Sequence, residues 1–145
     1  MLKIWGRRSA FNVQKVLWAI GELDLEHEHV DAGGATGGLD SPEFRAMNPH
    51  GRIPVVVEAG TTVWESHSIL RYLVARHGAG SLWAADPSMR SLADRWMDWT
   101  LVTLGPDFMT LFWSFYRTPE AQRNEQVIAR ASRRCAATSR CSILI

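Results

Sequence analysis

The chain has 145 residues, of which 46% are hydrophobic and 21% are charged, a balance typical of folded globular proteins rather than disordered or fibrous ones. Sixteen Lys and Arg against fifteen Asp and Glu leave a net charge of +1, so the sequence provides no basic field that would attract nucleic acid. No apolar run approaches the roughly 18 residues of a membrane span, and the first residues lack the apolar core of a signal peptide. We therefore expect a cytoplasmic protein that binds neither nucleic acid nor a membrane.

The first half of the chain alternates predicted strands and helices. Apolar or alternating runs bounded by turn residues predict strands over residues 2–5, 27–30, 54–58 and 61–64. Apolar residues at helical spacing predict helices over residues 12–23 and 65–77, with a single helical turn over 42–47. The predicted order is strand, helix, strand, helix, strand, strand and helix.

The ends of these elements are predicted from capping and turn residues. Asn12 and Ser66 are placed to cap the two longer helices, and Gly78 to end the second of them. The segment AGGATGGLDSP contains four glycines and predicts a loop without regular structure.

The second half of the chain is predicted to be helical. Small and turn residues over 78–87 predict a linker, and a second unit is expected over 88–145. A long helical stretch over 88–116 should be interrupted near Gly105 and Pro106, because proline breaks the hydrogen-bond pattern of a helix. Thr118 and Pro119 are expected to open another helix. The segment ATSRCSILI lacks helical amphipathicity, and the composition changes to arginine and cysteine after about Arg130.

Both cysteines, Cys135 and Cys141, lie within the last eleven residues. A disulfide framework or a metal cluster therefore cannot organise the body of the chain. They are not at C-x-x-C spacing, so we expect neither a dithiol redox mechanism nor a metal site.

Three separated strings carry a family resemblance: IWGRRSAFNVQKVLWAIGEL, NPHGRIPVVVE and VWESHSILRYL. In this order they resemble the first strand and catalytic turn, the cis-proline segment, and the Glu-Ser start of the third helix in the glutathione transferase superfamily, especially its bacterial serine-type, theta- and zeta-like members. The resemblance implies an α/β thioredoxin-like glutathione-binding domain over residues 1–77, followed after the linker by an incomplete all-α domain over 88–145. It also implies glutathione as co-substrate and a homodimer.

The implied reaction requires the glutathione thiolate. A free thiol of pKa near 8.5 is only about 3% ionised at pH 7, and lowering that pKa by two units takes roughly 2.7 kcal/mol. By resemblance Ser9, between the first strand and first helix, would donate the activating hydrogen bond. Asn12 is an alternative donor of this hydrogen bond. A second alternative is that Ser9 is only a turn residue.

The same resemblance implies how glutathione is held near the proline. With Pro54 in the cis form, the backbone of Ile53 would pair with the cysteinyl part of glutathione. His50 and Arg52 lie close enough in the chain to meet its glycine carboxylate. The alternatives are an ordinary trans proline at a strand edge and a solvated loop histidine.

Glu65 and Ser66 open the third predicted helix. The unpaired N–H groups and the dipole of a helix start favour an anion, so the γ-glutamyl carboxylate would bind there, with Glu65 accepting from the α-amino group and Ser66 donating to the carboxylate. A capped helix start without a ligand is the alternative.

The second substrate is expected to be a mostly apolar electrophile. Phe11, Met109, Trp113 and Tyr116 are the candidates to line its site, although aromatic residues at helical spacing are more often core.

Three hypotheses follow from the sequence. The leading one is a glutathione transferase, and a second is a non-catalytic glutathione-binding or regulatory protein of the same fold. The third is an inactive member with a truncated or frameshifted C-terminal domain, because relatives continue with more helices than this chain provides. In that case the aromatic residues over 96–115 would be partly uncovered.

Overall fold

A computed structural model describes the backbone of residues 1–142 and the side chains of residues 1–138. Two compact units make up the chain, the first over Met1–Ala85 and the second from Asp86 onward. None of the helices in the described part is both long and apolar enough to span a membrane.

The first unit contains a four-stranded mixed sheet. Its strands are β1 (Leu2–Trp5), β2 (His27–Val30), β3 (Val55–Glu58) and β4 (Thr61–Trp64), in the spatial order β2-β1-β3-β4. β1 is parallel to β2, whereas β3 is antiparallel to both of its neighbours. The predicted strands are confirmed, except that Pro54 precedes β3 because a proline has no N–H to give to the ladder.

Helices cover both faces of this sheet. α1 (Phe11–Glu22) and α3 (Ser66–His77) pack on one face, and the buried side chains there come from the sheet and from both helices: Ile4, Val13, Val16, Ile20, Val56, Ile69 and Leu73. On the other face the short helix α2 (Pro42–Met47) buries Phe44 against Val55. Neighbouring residues of a strand point to opposite faces. The arrangement is the expected α/β thioredoxin-like domain.

The two long helices begin differently from the prediction. Ala10 occupies the N-cap position of α1 and provides no side-chain hydrogen bond, so Asn12 lies inside the first turn and does not cap it. Glu65, with a φ of +68°, precedes α3, and Ser66 is the first residue of the helix rather than its cap. Gly78 ends α3 as predicted; a Cβ atom there would lie 2.8 Å from the carbonyl oxygen of Val74.

The glycine-rich loop is more regular than its composition predicts. Gly34–Thr36 forms one 3₁₀ turn. The N–H of Gly33 donates to the carbonyl of Gly37 at 2.7 Å, and both glycines have positive φ values. Backbone hydrogen bonding by residues that tolerate positive φ therefore orders the loop.

Within the described residues, the regular elements of the second unit are all helical. α4 (Pro87–Trp99) continues through a π-helical turn at Thr100–Leu104 into α5 (Gly105–Tyr116). The predicted interruption near Gly105 and Pro106 is thus confirmed as a widened turn, which accommodates a proline that cannot donate. A Cβ atom on Gly105 would lie 2.8 Å from the Thr100 carbonyl oxygen, so this close approach requires glycine.

The last helix begins later than predicted. Pro119 precedes a single 3₁₀ turn, Glu120–Gln122, instead of opening a long helix. α6 (Glu125–Ser142) starts after Asn124, whose side chain accepts a hydrogen bond from the N–H of Val127 at 3.1 Å. The helix therefore continues well past Arg130.

Candidate functional site

The sheet register brings three chain segments together at one end of the first unit. Val55 pairs with Trp5 on one side and with Trp64 on the other. The turn after β1, the residues before β3 and the start of α3 after β4 therefore lie side by side.

The segment before β3 presents an open backbone. The peptide bond between Ile53 and Pro54 is cis, as the resemblance implies, and the alternative of a trans proline is wrong. In the part of the chain that the structure describes, the backbone N–H and C=O of Ile53 form no hydrogen bond. An extended peptide can therefore pair with them without displacing an intramolecular partner.

Asn48 holds the loop that leads to this segment. Its side chain is 1% exposed. The Nδ2 atom donates to the carbonyl oxygen of Arg52 at 2.9 Å, and the Oδ1 atom accepts from the N–H of His50 at 3.0 Å. Because both ends of the amide are satisfied, the conformation of residues 48–52 is well determined.

The start of α3 lies next to that open backbone. Ser66 is 3% exposed, whereas Glu65 is exposed to solvent. The first N–H groups of a helix have no carbonyl partner within it, and the dipole makes this end partly positive. The position thus combines anion-binding donors with a carboxylate that accepts hydrogen bonds.

The turn after β1 carries Ser9. The N–H of Arg7 donates to Ala32 O, and the N–H of Ala10 donates to Arg7 O, both at 3.0 Å. Ser9 is exposed, and its hydroxyl forms no hydrogen bond with another described residue. A ligand thiol can therefore use that hydroxyl without breaking an internal contact.

His29 fixes the beginning of this turn, and sequence reasoning missed it. Its side chain is 7% exposed, and Nε2–H donates to the Gly6 carbonyl at 2.7 Å. Gly6 itself is obligatory, since a Cβ atom there would lie 2.6 Å from Val13 Cγ2. Nothing in the alternating string HEHV distinguishes His29, because its partner lies 23 positions away. Asn48 was missed too, although an Asn-Pro pair after a short helix marks a turn.

Lys15 connects α1 to the start of α3. Its Nζ atom lies 3.3 Å from Nε2 of His67 and 4.5 Å from the centre of the Phe11 ring. Burial lowers the pKa of the Lys15 ammonium below its ordinary value. The contact joins the two helix starts that frame the site.

The other predicted site residues are distributed over both units. His50 is exposed, with its ring 5.3 Å from that of Trp64 in an edge-on arrangement. Arg52 and Asn12 are exposed in the first unit, as is Phe11. Three residues predicted to line the second-substrate site lie on α5 of the second unit and are also exposed: Met109, Trp113 and Tyr116. Over the described residues, no group of three or more His, Cys, Asp or Glu side chains is arranged to hold a metal ion.

Residues 1–75 match the family model of the glutathione S-transferase N-terminal domain. The chain belongs to this family. It is 37% identical over 137 residues to glutathione S-transferase GstB of Escherichia coli, covering 93% of this chain and 66% of GstB. Family membership is therefore established for the unit that contains the candidate site.

Solved structures give the same assignment. The theta class glutathione S-transferase from Xanthomonas axonopodis pv. citri with glutathione bound is 42% identical, with a TM-score of 0.87, covering 92% of this chain and 64% of that one. Glutathione transferase F2 from Populus trichocarpa is 20% identical with a TM-score of 0.89, a likeness of fold alone. This chain spans about two thirds of the length of these relatives.

Proposed function

We propose that the protein is a glutathione transferase that adds the glutathione thiolate to an electrophilic carbon. The observation that carries this proposal is the open backbone of Ile53 beside the start of α3. Together they offer an extended γ-glutamyl peptide a main-chain partner and an anion site at one end of the sheet.

In this proposal each part of glutathione has its own partner. Ile53 pairs with the cysteinyl backbone next to Pro54. Glu65 accepts from the γ-glutamyl amino group, while Ser66 donates to its carboxylate. His50 and Arg52, exposed in the loop held by Asn48, meet the glycine carboxylate.

Activation of the thiol is assigned to the first turn. The exposed Ser9 hydroxyl donates to the sulfur and stabilises the thiolate, with Asn12 as the alternative donor. The thiol proton passes to solvent, and the thiolate attacks the electrophile. With an aryl chloride, the new C–S bond forms as the C–Cl bond breaks and the electron pair leaves on chloride.

The second substrate is proposed to bind apolar side chains. Phe11 of α1 and Met109, Trp113 and Tyr116 of α5 are the candidates, because all four expose ring or thioether surface. As in the resemblance stated above, the protein is proposed to act as a cytoplasmic homodimer.

Retention on immobilised glutathione, combined with conjugation of 1-chloro-2,4-dinitrobenzene, tests this function. The wild type should be retained and active. Ser9→Ala should be retained but lose about tenfold or more of kcat at pH 7, because less thiolate is present. Ser81→Ala, which changes a serine at the other end of α3, serves as control and should match the wild type.

The results separate the alternatives. Equal turnover by Ser9→Ala with loss in Asn12→Ala assigns the donor role to Asn12. Retention without turnover by the wild type favours the non-catalytic binding function. No retention of the wild type contradicts the proposal.

A further inference from the structure

Arg7 is a partly buried cation that has no ion-pair partner among the side chains of residues 1–138. It lies in the turn between β1 and α1, two residues before Ser9. Two other arginines of the first unit form ion pairs, Arg45 with Asp40 and Arg76 with Glu58. Across residues 1–138, the Arg7 guanidinium has no such ion pair or hydrogen bond. A guanidinium keeps its charge and carries five N–H donors, so its position favours an anionic ligand.

Two glycines determine the path of this side chain. A Cβ atom on Gly34 would lie 3.1 Å from Cδ of Arg7, and one on Gly33 would lie 3.6 Å from a guanidinium nitrogen. Both glycines have positive φ, +63° and +79° respectively, which other residues adopt only with strain. The Arg7 side chain therefore packs against the backbone of Gly33 and Gly34, where larger residues would leave it less space.

The charged end of Arg7 lies close to Ile53. The Cβ position on Gly33 that is near the guanidinium is also 3.4 Å from Cδ1 of Ile53, so both side chains lie beside the same glycine. Ile53 is proposed to hold the cysteinyl part of glutathione, and Ser9 to bind its sulfur. The guanidinium therefore lies beside the segment that is proposed to hold glutathione.

We propose that Arg7 binds a carboxylate on the second substrate, so that acidic electrophiles are the preferred class. This inference rests on the proposed transferase function. A guanidinium fits a carboxylate through two parallel hydrogen bonds. The glycine carboxylate of glutathione already has proposed partners in His50 and Arg52, which leaves Arg7 to the electrophile.

A pair of aryl chlorides of nearly the same shape, one with a carboxylate and one with a neutral carboxamide, provides the test. We would measure kcat/KM for 4-chloro-3-nitrobenzoate and 4-chloro-3-nitrobenzamide with the wild type, Arg7→Met, Arg7→Lys and Arg8→Met. Each kcat/KM value is divided by the rate constant of the same aryl chloride with glutathione alone, because a carboxamide activates the ring more strongly than a carboxylate. In each reaction the thiolate displaces chloride as the C–S bond forms. Arg8 is the matched control, because it is exposed in the same turn and its loss removes the same charge.

After this division, the wild type should prefer the benzoate. Arg7→Met should lower kcat/KM for the benzoate by about ten- to hundredfold, the range for a hydrogen bond to a charged group, and leave that for the benzamide within about twofold. Arg7→Lys should fall between, since lysine keeps the charge but not the planar fork. Arg8→Met should change both by less than about threefold.

Several results would overturn the assignment. One is an equal loss of kcat/KM for both electrophiles in Arg7→Met. Another is a loss of kcat/KM for the benzoate in Arg8→Met as large as that in Arg7→Met. Weaker binding of glutathione by Arg7→Met, with unchanged binding of its glycine ethyl ester, assigns the guanidinium to glutathione instead. A wild type that binds glutathione but prefers the benzamide after division by the uncatalysed rate constants overturns this proposal alone. A wild type that binds no glutathione overturns the transferase function and this proposal together.

Discussion

Two buried polar side chains, His29 and Asn48, hold the loops that border the candidate site. His29 donates to the Gly6 carbonyl at the start of the β1–α1 turn, and Asn48 bonds to both ends of the segment before Ile53. Neither side chain is exposed to a ligand. Their role is to satisfy backbone groups that water cannot reach, which keeps Ser9 and Ile53 in defined positions.

We predict that His29→Leu lowers the free energy of unfolding by about 1–3 kcal/mol, because it leaves the buried Gly6 carbonyl without a donor. His29→Gln keeps a donor of similar reach and should recover part of the loss. His27→Leu is the matched control, since His27 lies exposed on the same strand. Urea unfolding of the three variants makes the comparison, and a His29→Leu protein as stable as the His27→Leu protein would contradict it.

At the scale of secondary-structure elements, the carboxylate of Glu58 connects β3 to the C-terminal end of α3. Glu58 accepts hydrogen bonds from Tyr72 Oη at 2.9 Å and His77 Nε2 at 2.9 Å, and its side chain lies 3.1 Å from Nε of Arg76. Only 12% of the Glu58 side chain is exposed. This cluster anchors the helix whose other end opens the candidate site.

The hydrogen bond from Tyr72 to Glu58 should stabilise the fold less at alkaline pH. Burial, followed by the hydrogen bond to Glu58, raises the pKa of Tyr72 above its ordinary value. A group whose pKa is raised by folding stabilises the folded state fully at pH values below its pKa in the unfolded chain, here about 10. It loses that contribution as the pH rises through its pKa in the folded protein.

We therefore expect Tyr72→Phe to lower the free energy of unfolding by about 1 kcal/mol at pH 8 and by less at pH 11. Urea unfolding at both pH values measures this. A difference between the two proteins that stays constant or grows with pH would show that Tyr72 does not act through its neutral hydroxyl.

The positions at which the helices begin and end show which features a local sequence pattern predicts. Gly78 ended α3 as predicted, because a glycine stop depends on local backbone geometry. The start of α6 was predicted at Pro119 but lies at Glu125, after the capping side chain of Asn124. A proline is compatible with a helix start close to it but does not specify one. Where the helix begins also depends on tertiary packing, which a local sequence pattern does not contain.

At the scale of the whole molecule, the two units differ in how much they bury. In the first unit Ile4, Val13, Val56, Ile69 and Leu73 are essentially inaccessible. In the second, Ala131 is the one buried residue among the described side chains of residues 86–138. Burial of apolar surface is the main favourable contribution to folding, so resistance to local opening should differ accordingly.

We predict that backbone amides of β1, β3, α1 and α3 exchange with deuterium much more slowly than those of α4 and α5. Opening a segment with few buried contacts costs less free energy. Hydrogen exchange followed by mass spectrometry on the intact chain measures both units at once. Comparable protection in α5 and α3 would mean that stability does not follow the burial seen here.

The sequence alone predicted the order of the strands and helices, because periodicity, proline and glycine act through local geometry. Its three motif strings carried the family resemblance, which in turn implied the cis bond at Pro54. The contacts of His29 with Gly6 and of Arg7 with Gly33 and Gly34 were decided only by the tertiary structure. They join residues more than twenty positions apart in the chain. Such pairs meet only when the sheet forms, so no pattern along the chain specifies them.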